Sequence, residues 1–310
     1  MTILFQSKGD DPAKWRGMLQ AELPDETVRL YPDELGDPGE IDYALVWKPP
    51  QGMLAQLPNL KAIFSLGAGV DHLASDPDLP KDVPVIRLVD EGLTIGMTEF
   101  VTFAVLKHHR RIREYQELQR EHLWREMQVP LATNRRVGLL GLGELGADAA
   151  RALTALGFQV AGWSNSRKEL PGVTSYAGRR EFGEFLVRTE ILVNLLPLTE
   201  DTRGILNRET LGELPKGAAL VNVARGPHLV DDDLLELLET GQIAEATLDV
   251  FHEEPLPAKH PFWDHPRILV TPHVASVTPA ETAAAVIAGN IRKLKRGDTP
   301  GPIVDFGKGY

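Results

Sequence analysis

Three short segments of the 310-residue chain hold groups that could carry chemistry. Gly141-Leu-Gly-Glu-Leu-Gly146 offers a turn of bare backbone amides. Val223-Ala-Arg-Gly226 sets an arginine just past an apolar run, and Thr271-Pro-His273 sets a histidine just past another. A phosphate cradle, a cationic anchor and a proton donor at the carboxyl ends of parallel strands together describe a hydride-transfer enzyme. Each segment alone would be weak.

From Arg136 the cradle reads as strand, turn and helix start in one run. Gly141 permits the tight turn, Gly143 lets backbone approach a diphosphate, and Gly146 lets the helix pack close to the strand. Glu144 and Leu145 complete the segment whose amides, at a helix N-terminus, face the anion. The next apolar run ends in Ser164, Asn165, Ser166 and Arg167, where an NAD enzyme usually carries a carboxylate for the ribose hydroxyls. An uncharged hydroxyl followed by a cation suits a 2'-phosphate. The expected cofactor is therefore NADPH, with NADH possible; the alternative is a solvated surface arginine.

Arg225 can grip a carboxylate or a carbonyl oxygen in a planar fork. His273 can protonate a carbonyl oxygen as hydride reaches carbon. A glutamate hydrogen-bonded to that histidine fixes its tautomer. Glu254, after Leu248-Asp-Val-Phe251, is a candidate, but spacing alone does not separate it from Glu253. Asp249 reads equally as a structural carboxylate at the strand end. Of nine histidines, His273 is singled out by its strand-end position. His108, His109 and His122 fall on a charged helix, and His252, His260 and His265 in a polar loop. His252 with Glu253 and Glu254 lacks a second ligand pair at helical spacing, so no metal is expected. There is no G-x-S-x-G hydrolase turn either.

Earlier in the chain, Ser65-Leu-Gly-Ala-Gly-Val-Asp71 is a second glycine-rich turn after a strand, and its amides could hold an anion. Trp47-Lys48-Pro49-Pro50 ends a neighbouring strand. Lys48 either faces the same cleft or is one more solvated lysine.

The elements that must position these groups alternate between apolar runs and helical patterns, which reads as α/β with parallel sheets. Strands are expected at Ile3–Phe5, Val28–Tyr31, Tyr43–Trp47, Ala62–Ser65 and Val85–Leu88. A second set is expected at Val137–Leu140, Gln159–Gly162, Ile191–Leu195, Ala219–Val223, Ala246–Val250 and Ile268–Thr271. A proline-free stretch from Gly96 to about Trp124 reads as one long connecting helix. The last helix is expected to open at Thr278-Pro-Ala-Glu281, with threonine as N-cap and glutamate closing a capping box, and to end at Gly297. The tail Pro300–Tyr310 is expected to return to the first domain. The second domain would then be inserted in the first: residues 1–92 and 277–310 bind substrate, and residues 93–276 bind the cofactor.

Composition narrows the partners. With 44 acidic and 33 basic side chains the net charge is -11, which argues against nucleic acid. The absence of cysteine excludes disulfides, zinc–thiolate sites and thiol nucleophiles. The start, Met1-Thr-Ile-Leu-Phe-Gln6, reads as a strand and not as a signal peptide. No apolar stretch is long enough to span a bilayer. A soluble cytoplasmic protein without a membrane partner is expected.

Taken end to end, the chain resembles the D-2-hydroxyacid dehydrogenase family, and within it most resembles the bacterial glyoxylate/hydroxypyruvate reductase A group. The residues that carry the resemblance include Tyr43–Trp47, Leu66–Asp71, the cradle, Trp163–Ser164 with Ser166–Lys168, and Asn194–Pro197. They continue through Ala224–Gly226, Leu248–Phe251, Glu254–Pro257, Thr271–Ala275 and the closing Gly309-Tyr310. The resemblance implies a Rossmann cofactor domain inserted into a flavodoxin-like substrate domain. It implies a catalytic trio of Arg225, Glu254 and His273. It implies substrate contacts from Trp47, Lys48, Ala68, Gly69 and Arg225. It places Leu196, Pro197, Val223, Ala224, Asp249 and His273 beside the nicotinamide and its ribose. It also implies a homodimer in which the loop around Trp124 reaches the partner's active site. The substrates would be glyoxylate and hydroxypyruvate. Lys48 departs from that group, which often has histidine there, and its charge would favour a doubly charged or hydroxylated substrate. The alternatives are another 2-hydroxyacid specificity, or a nucleotide-sensing binding protein without turnover.

Overall fold

Near-continuous apolar runs become strands covered on both faces. The computed structural model describes residues 1–306. In chain order the first elements are β1 (Thr2–Ser7), α1 (Pro12–Glu22), β2 (Thr27–Leu30), β3 (Ile41–Trp47), β4 (Ala62–Ser65), α2 (Asp71–Ala74), β5 (Val85–Ile86), α3 (Glu91–His109) and α4 (Ile112–Arg120). Then come β6 (Arg136–Leu140), α5 (Glu144–Ala155), β7 (Gln159–Ser164), β8 (Thr174–Ala177), α6 (Phe182–Val187), β9 (Ile191–Asn194) and α7 (Arg208–Gly212). The last are β10 (Ala218–Asn222), α8 (Asp231–Glu239), β11 (Ile243–Leu248), β12 (Ile268–Val270) and α9 (Ala280–Lys295). They form two compact units: Met1–Leu93 with the chain from Val277, and Thr94–Ser276.

The first unit holds a parallel sheet in the order β2-β1-β3-β4-β5, the flavodoxin-like arrangement. Asp11 caps α1 by accepting from the amides of Ala13 and Lys14, with proline in the first turn. The tail does return to this unit: Ile303 bridges Ile86, and the Val304 amide donates to the Val85 carbonyl at 2.8 Å. Gly309-Tyr310, the last stretch of the resemblance, lies outside the described residues.

The second unit holds a parallel sheet in the order β12-β11-β10-β9-β6-β7-β8. The chain direction across the sheet reverses between β6 and β9, the switch point outside which ligands of such folds bind. Successive residues alternate between two cores, because strand side chains alternate faces. Leu140, Leu192 and Leu220 pack with Phe185, Leu211 and Leu234 from α6, α7 and α8. Leu139, Val193 and Val221 pack with Val101 and Leu153 from α3 and α5.

Three local expectations fail for identifiable reasons. The single helix from Gly96 to Trp124 is two helices, because Arg111 takes a left-handed backbone (φ 57°) between α3 and α4. Trp124 lies beyond α4. The strand β8 was not expected: Thr174-Ser-Tyr-Ala177 is a short, half-buried edge strand without an apolar run. Thr278 is not a cap. Its hydroxyl donates to the Leu66 carbonyl at 2.6 Å, and α9 starts after Pro279 with no side-chain cap. Gly297, in left-handed conformation at φ 78°, ends α9 as expected.

His108 and His109 are buried and not on a solvated face. On β11, Glu245 lies 3.1 Å from the Lys107 ammonium and 2.8 Å from His108 Nδ1. Burial pushes the Glu245 carboxyl up, but the His108 contact and the Lys107 charge outweigh it and hold the group down at about 2. Glu245 therefore stays ionised and ties the end of α3 to the sheet.

Candidate active site

The cradle is built by what cannot fit around it. Gly141 has φ 97°, a conformation open to glycine, and its amide donates to the Trp163 carbonyl at 2.9 Å. A Cβ on Gly146 would stand 1.9 Å from the Gly141 carbonyl oxygen, so no side chain is possible where α5 crosses the turn. A Cβ on Gly143 would meet nothing within 4 Å. Gly143 caps α5 without a side chain, is exposed, and leaves open space before the first amides of the helix. Glu144 is exposed and Leu145 half-buried beside it. These residues fit a dinucleotide diphosphate: a helix N-terminus without a side-chain cap has open space beside Gly143.

At the end of β7, Ser164 Oγ donates to the Ser166 carbonyl at 2.7 Å. Asn165, Ser166 and Arg167 are exposed. The Arg167 guanidinium is not merely solvated: it bonds the Ser175 carbonyl and the Glu181 carboxylate. Glu181 also accepts from the Ala177 amide at 2.7 Å, which fixes the fork against the edge strand β8.

The three ionisable residues follow adjacent strands. Arg225 follows β10, with extended backbone, and its guanidinium donates to the Ala224 carbonyl at 2.7 Å. Glu254 follows β11 and His273 follows β12. The structure separates the two neighbouring glutamates. Glu253 is exposed, whereas Glu254 Oε2 lies 2.9 Å from His273 Nδ1 and its Oε1 accepts from the Phe251 amide at 3.2 Å. His273 thus presents Nδ1 to the carboxylate and keeps Nε2 for another partner. The backbone of the Arg225 turn touches that of the Glu254 loop: a Cβ on Gly226 would stand 1.9 Å from the Phe251 carbonyl carbon.

Asp249 proves to be the pin of the histidine turn. It is fully buried, and its carboxylate accepts from Thr271 Oγ1 at 2.6 Å, the Val274 amide at 2.9 Å and the Ala275 amide at 2.9 Å. Its carbonyl accepts from the His273 amide at 2.8 Å. Burial pushes the Asp249 carboxyl up, against these hydrogen bonds. The pin holds His273 at φ 56°, a left-handed conformation that histidine adopts more readily than most residues. His252 turns to the Leu229 carbonyl at 2.8 Å and lies 3.6 Å from Asp231, so it is engaged apart from the Glu254–His273 pair.

The apolar and small residues expected beside the nicotinamide occupy the ends of β9 and β10. Leu196, Val223 and Ala224 are buried, and Pro197 is half-buried. Asn194 and Asn222, not singled out as site residues, are fully buried there and hydrogen-bond each other at 3.0 Å. The sequence signal was present, since each is a polar residue closing an apolar strand.

In the first unit, the Ser65 hydroxyl lies 3.1 Å from the Gly67 carbonyl and 3.2 Å from that of Gly69, which fixes the second glycine turn. The Trp47 ring packs where a Gly67 Cβ would stand, 2.6 Å from the nearest ring carbon, and its centroid lies 4.5 Å from that of the His72 ring, tilted by 60°. Ala68 and Gly69 are half-buried, and Lys48 has φ 48°.

Residues 102–275 match the model of the D-isomer specific 2-hydroxyacid dehydrogenase family, NAD binding domain. The chain is 46% identical over 315 aligned residues to the glyoxylate/hydroxypyruvate reductase A of Serratia proteamaculans, covering all of both chains. It is similar to a solved D-isomer specific 2-hydroxyacid dehydrogenase from Xanthobacter autotrophicus, in complex with NADPH and MES (TM-score 0.96, 47% identity, 100% and 99% covered). It is also similar to the NADPH-dependent glyoxylate/hydroxypyruvate reductase of Sinorhizobium meliloti, in complex with NADP and sulfate (TM-score 0.95, 39% identity, 100% and 99% covered). On these matches, and with two parallel α/β units of the expected order, the chain belongs to the D-isomer-specific 2-hydroxyacid dehydrogenase family.

Proposed function

We propose that this protein is an NADPH-preferring reductase of small 2-oxo acids, glyoxylate and hydroxypyruvate among them. The observation that carries the reading is the 2.9 Å Glu254–His273 pair at the end of the strands that also bear Arg225, in the unit that holds the glycine cradle. The names of the Serratia and Sinorhizobium relatives agree with it. Bound in the cradle, the dinucleotide supplies the hydride. Gly141, Gly143, Glu144, Leu145 and Gly146 hold its diphosphate, while Leu196, Pro197, Val223, Ala224 and Asp249 flank the nicotinamide and ribose. Arg225 holds the substrate carboxylate and polarises its carbonyl. His273 gives up the Nε2 proton to the carbonyl oxygen, and Glu254 on Nδ1 holds the ring in place and stabilises its cationic form. Trp47, Lys48, Ala68 and Gly69 belong to the same reading as further substrate contacts.

The test is a panel of 2-oxo acids with NADPH and with NADH, followed by absorbance. We expect turnover of glyoxylate and hydroxypyruvate and a higher kcat/KM with NADPH. Arg167, already aimed by Glu181, has further donors for a 2'-phosphate. A hydrogen bond to a charged group contributes about 1.5–3 kcal/mol. One such contact corresponds to a preference of roughly 10- to 150-fold. The combined change Ser164→Asp and Arg167→Ala should move preference toward NADH, since the carboxylate repels a phosphate and accepts from ribose hydroxyls. An equal or higher wild-type kcat/KM for NADH would remove the cofactor argument. No turnover of any 2-oxo acid, with NADPH still bound, would replace the enzyme reading by a sensor.

The same reading includes a homodimer. Ile95, Phe103, Ile112, Leu123 and Trp124, all on α3, α4 or just after them, are large exposed apolar side chains, and Trp124 is fully exposed. Such a run of apolar surface suits a partner. The loop around Trp124 is assigned to the partner's active site. Sedimentation at micromolar concentration should give a dimer, and a monomer would contradict the assignment.

A further inference from the structure

The loops after β9 and β10 are closed into one hydrogen-bonded circuit by three side chains that are wholly buried: Asn194, Asn222 and His228. The Leu196 amide donates to Asn194 Oδ1 at 3.2 Å, and Asn194 Nδ2 donates to Asn222 Oδ1 at 3.0 Å. Asn222 Oδ1 also takes the Ala224 amide at 3.3 Å, and Asn222 Nδ2 donates to the Arg225 carbonyl at 3.1 Å. The Arg225 amide then lies 3.2 Å from His228 Nδ1, and His228 Nε2 lies 3.2 Å from the Pro197 carbonyl, which returns the circuit to its start.

The chemistry of the Pro197 contact fixes the Nε2 proton. A carbonyl oxygen can only accept, so Nε2 carries a proton and donates to Pro197. Nδ1 lies 3.2 Å from both the amide and the carbonyl of Arg225, so the imidazole meets the backbone of that residue on this side. One imidazole therefore holds the residue that carries the guanidinium at one end and the Leu196–Pro197 wall at the other. Buried networks of this kind specify geometry when every member is satisfied. A displacement of about 1 Å in a positioning element can cost roughly 100-fold in rate.

We propose that His228 is a positioning residue for the reduction, setting the substrate anchor and the cofactor wall relative to one another. This rests on the roles proposed above for Arg225, Leu196 and Pro197. Two variants divide the imidazole. His228→Gln places an amide donor in reach of Pro197 but has no acceptor at the Nδ1 position. His228→Asn keeps an acceptor for the Arg225 amide but is too short to reach Pro197.

We expect His228→Gln to raise KM for the oxo acid and lower kcat, by about 10- to 100-fold in kcat/KM, with the NADPH Kd from fluorescence unchanged. We expect His228→Asn to weaken NADPH binding by about tenfold, the loss of one neutral hydrogen bond, with a smaller change in KM for the oxo acid. Thermal unfolding is followed for both; if one variant does not fold, the other decides by the same readouts. A fall in Tm with KM, kcat and Kd at wild-type values would overturn the proposal and leave His228 a stabilising residue only. Wild-type protein that reduces no oxo acid would instead refute the functional reading, which separates the two failures.

Discussion

His273→Gln is expected to lower kcat by roughly 10²–10⁴-fold, the usual contribution of a positioned general acid, while NADPH binds with near-normal affinity. The argument is geometric. Nδ1 is committed to Glu254 at 2.9 Å, so Nε2 is the nitrogen available to a carbonyl oxygen. Glutamine can donate a hydrogen bond but cannot release a proton at neutral pH. The backbone adds a control, because His273 has φ 56° and a glutamine there is strained as well as chemically inert. Asparagine tolerates the left-handed region better. His273→Asn should therefore show the same loss of kcat with less loss of Tm. Single-turnover absorbance with saturating NADPH checks both variants. Near-normal turnover in either one would rule out the proton-donor role.

Arg225→Lys retains the charge and loses the fork. The guanidinium donates to the Ala224 carbonyl at 2.7 Å, and in the proposed role its planar fork grips the substrate carboxylate. An ammonium in the same place is a compact point charge and cannot make two parallel hydrogen bonds. We expect kcat/KM for the oxo acid to fall by roughly 10- to 150-fold, equivalent to losing one charged hydrogen bond of about 1.5–3 kcal/mol. The NADPH Kd should not move. Steady-state kinetics with varied oxo acid measures the effect, and a lysine enzyme near wild-type efficiency would sink the bidentate argument.

The two-unit fold and the strand ends were legible because burial on both faces leaves long apolar runs. The cradle was legible because its glycines answer steric demands: Gly141 a positive φ, and Gly146 a crossing with no room for a side chain. Other features depend on groups distant in sequence. Glu253 and Glu254 differ only in which of them the turn after β11 folds toward His273. Thr278-Pro-Ala-Glu281 spells a capping box, yet the threonine hydroxyl finds the Leu66 carbonyl instead. The helix break at Arg111 has neither glycine nor proline to announce it. The strand β8 gains its place from pairing with β7, not from apolar content. Asn194 and Asn222 stand out in the sequence as polar residues closing apolar strands, but their direct pairing, 28 residues apart in sequence, shows only in the fold.

The order of the second sheet has a consequence for inheritance. In the proposed function the residues after β7 meet the part of the cofactor that distinguishes its two common forms, and Asn165, Ser166 and Arg167 are exposed. Residues after β10, β11 and β12, on the other flank of β6, are tied together by buried hydrogen bonds and by touching backbones. Exposed positions away from such ties tolerate substitution cheaply. A lineage of such proteins can therefore drift most cheaply at Asn165 and Ser166, and less so at Arg167, which Ser175 and Glu181 hold, as it follows whichever dinucleotide pool its cell keeps reduced. The opposite flank, where one substitution disturbs several of the groups proposed as catalytic, stays frozen while it does so.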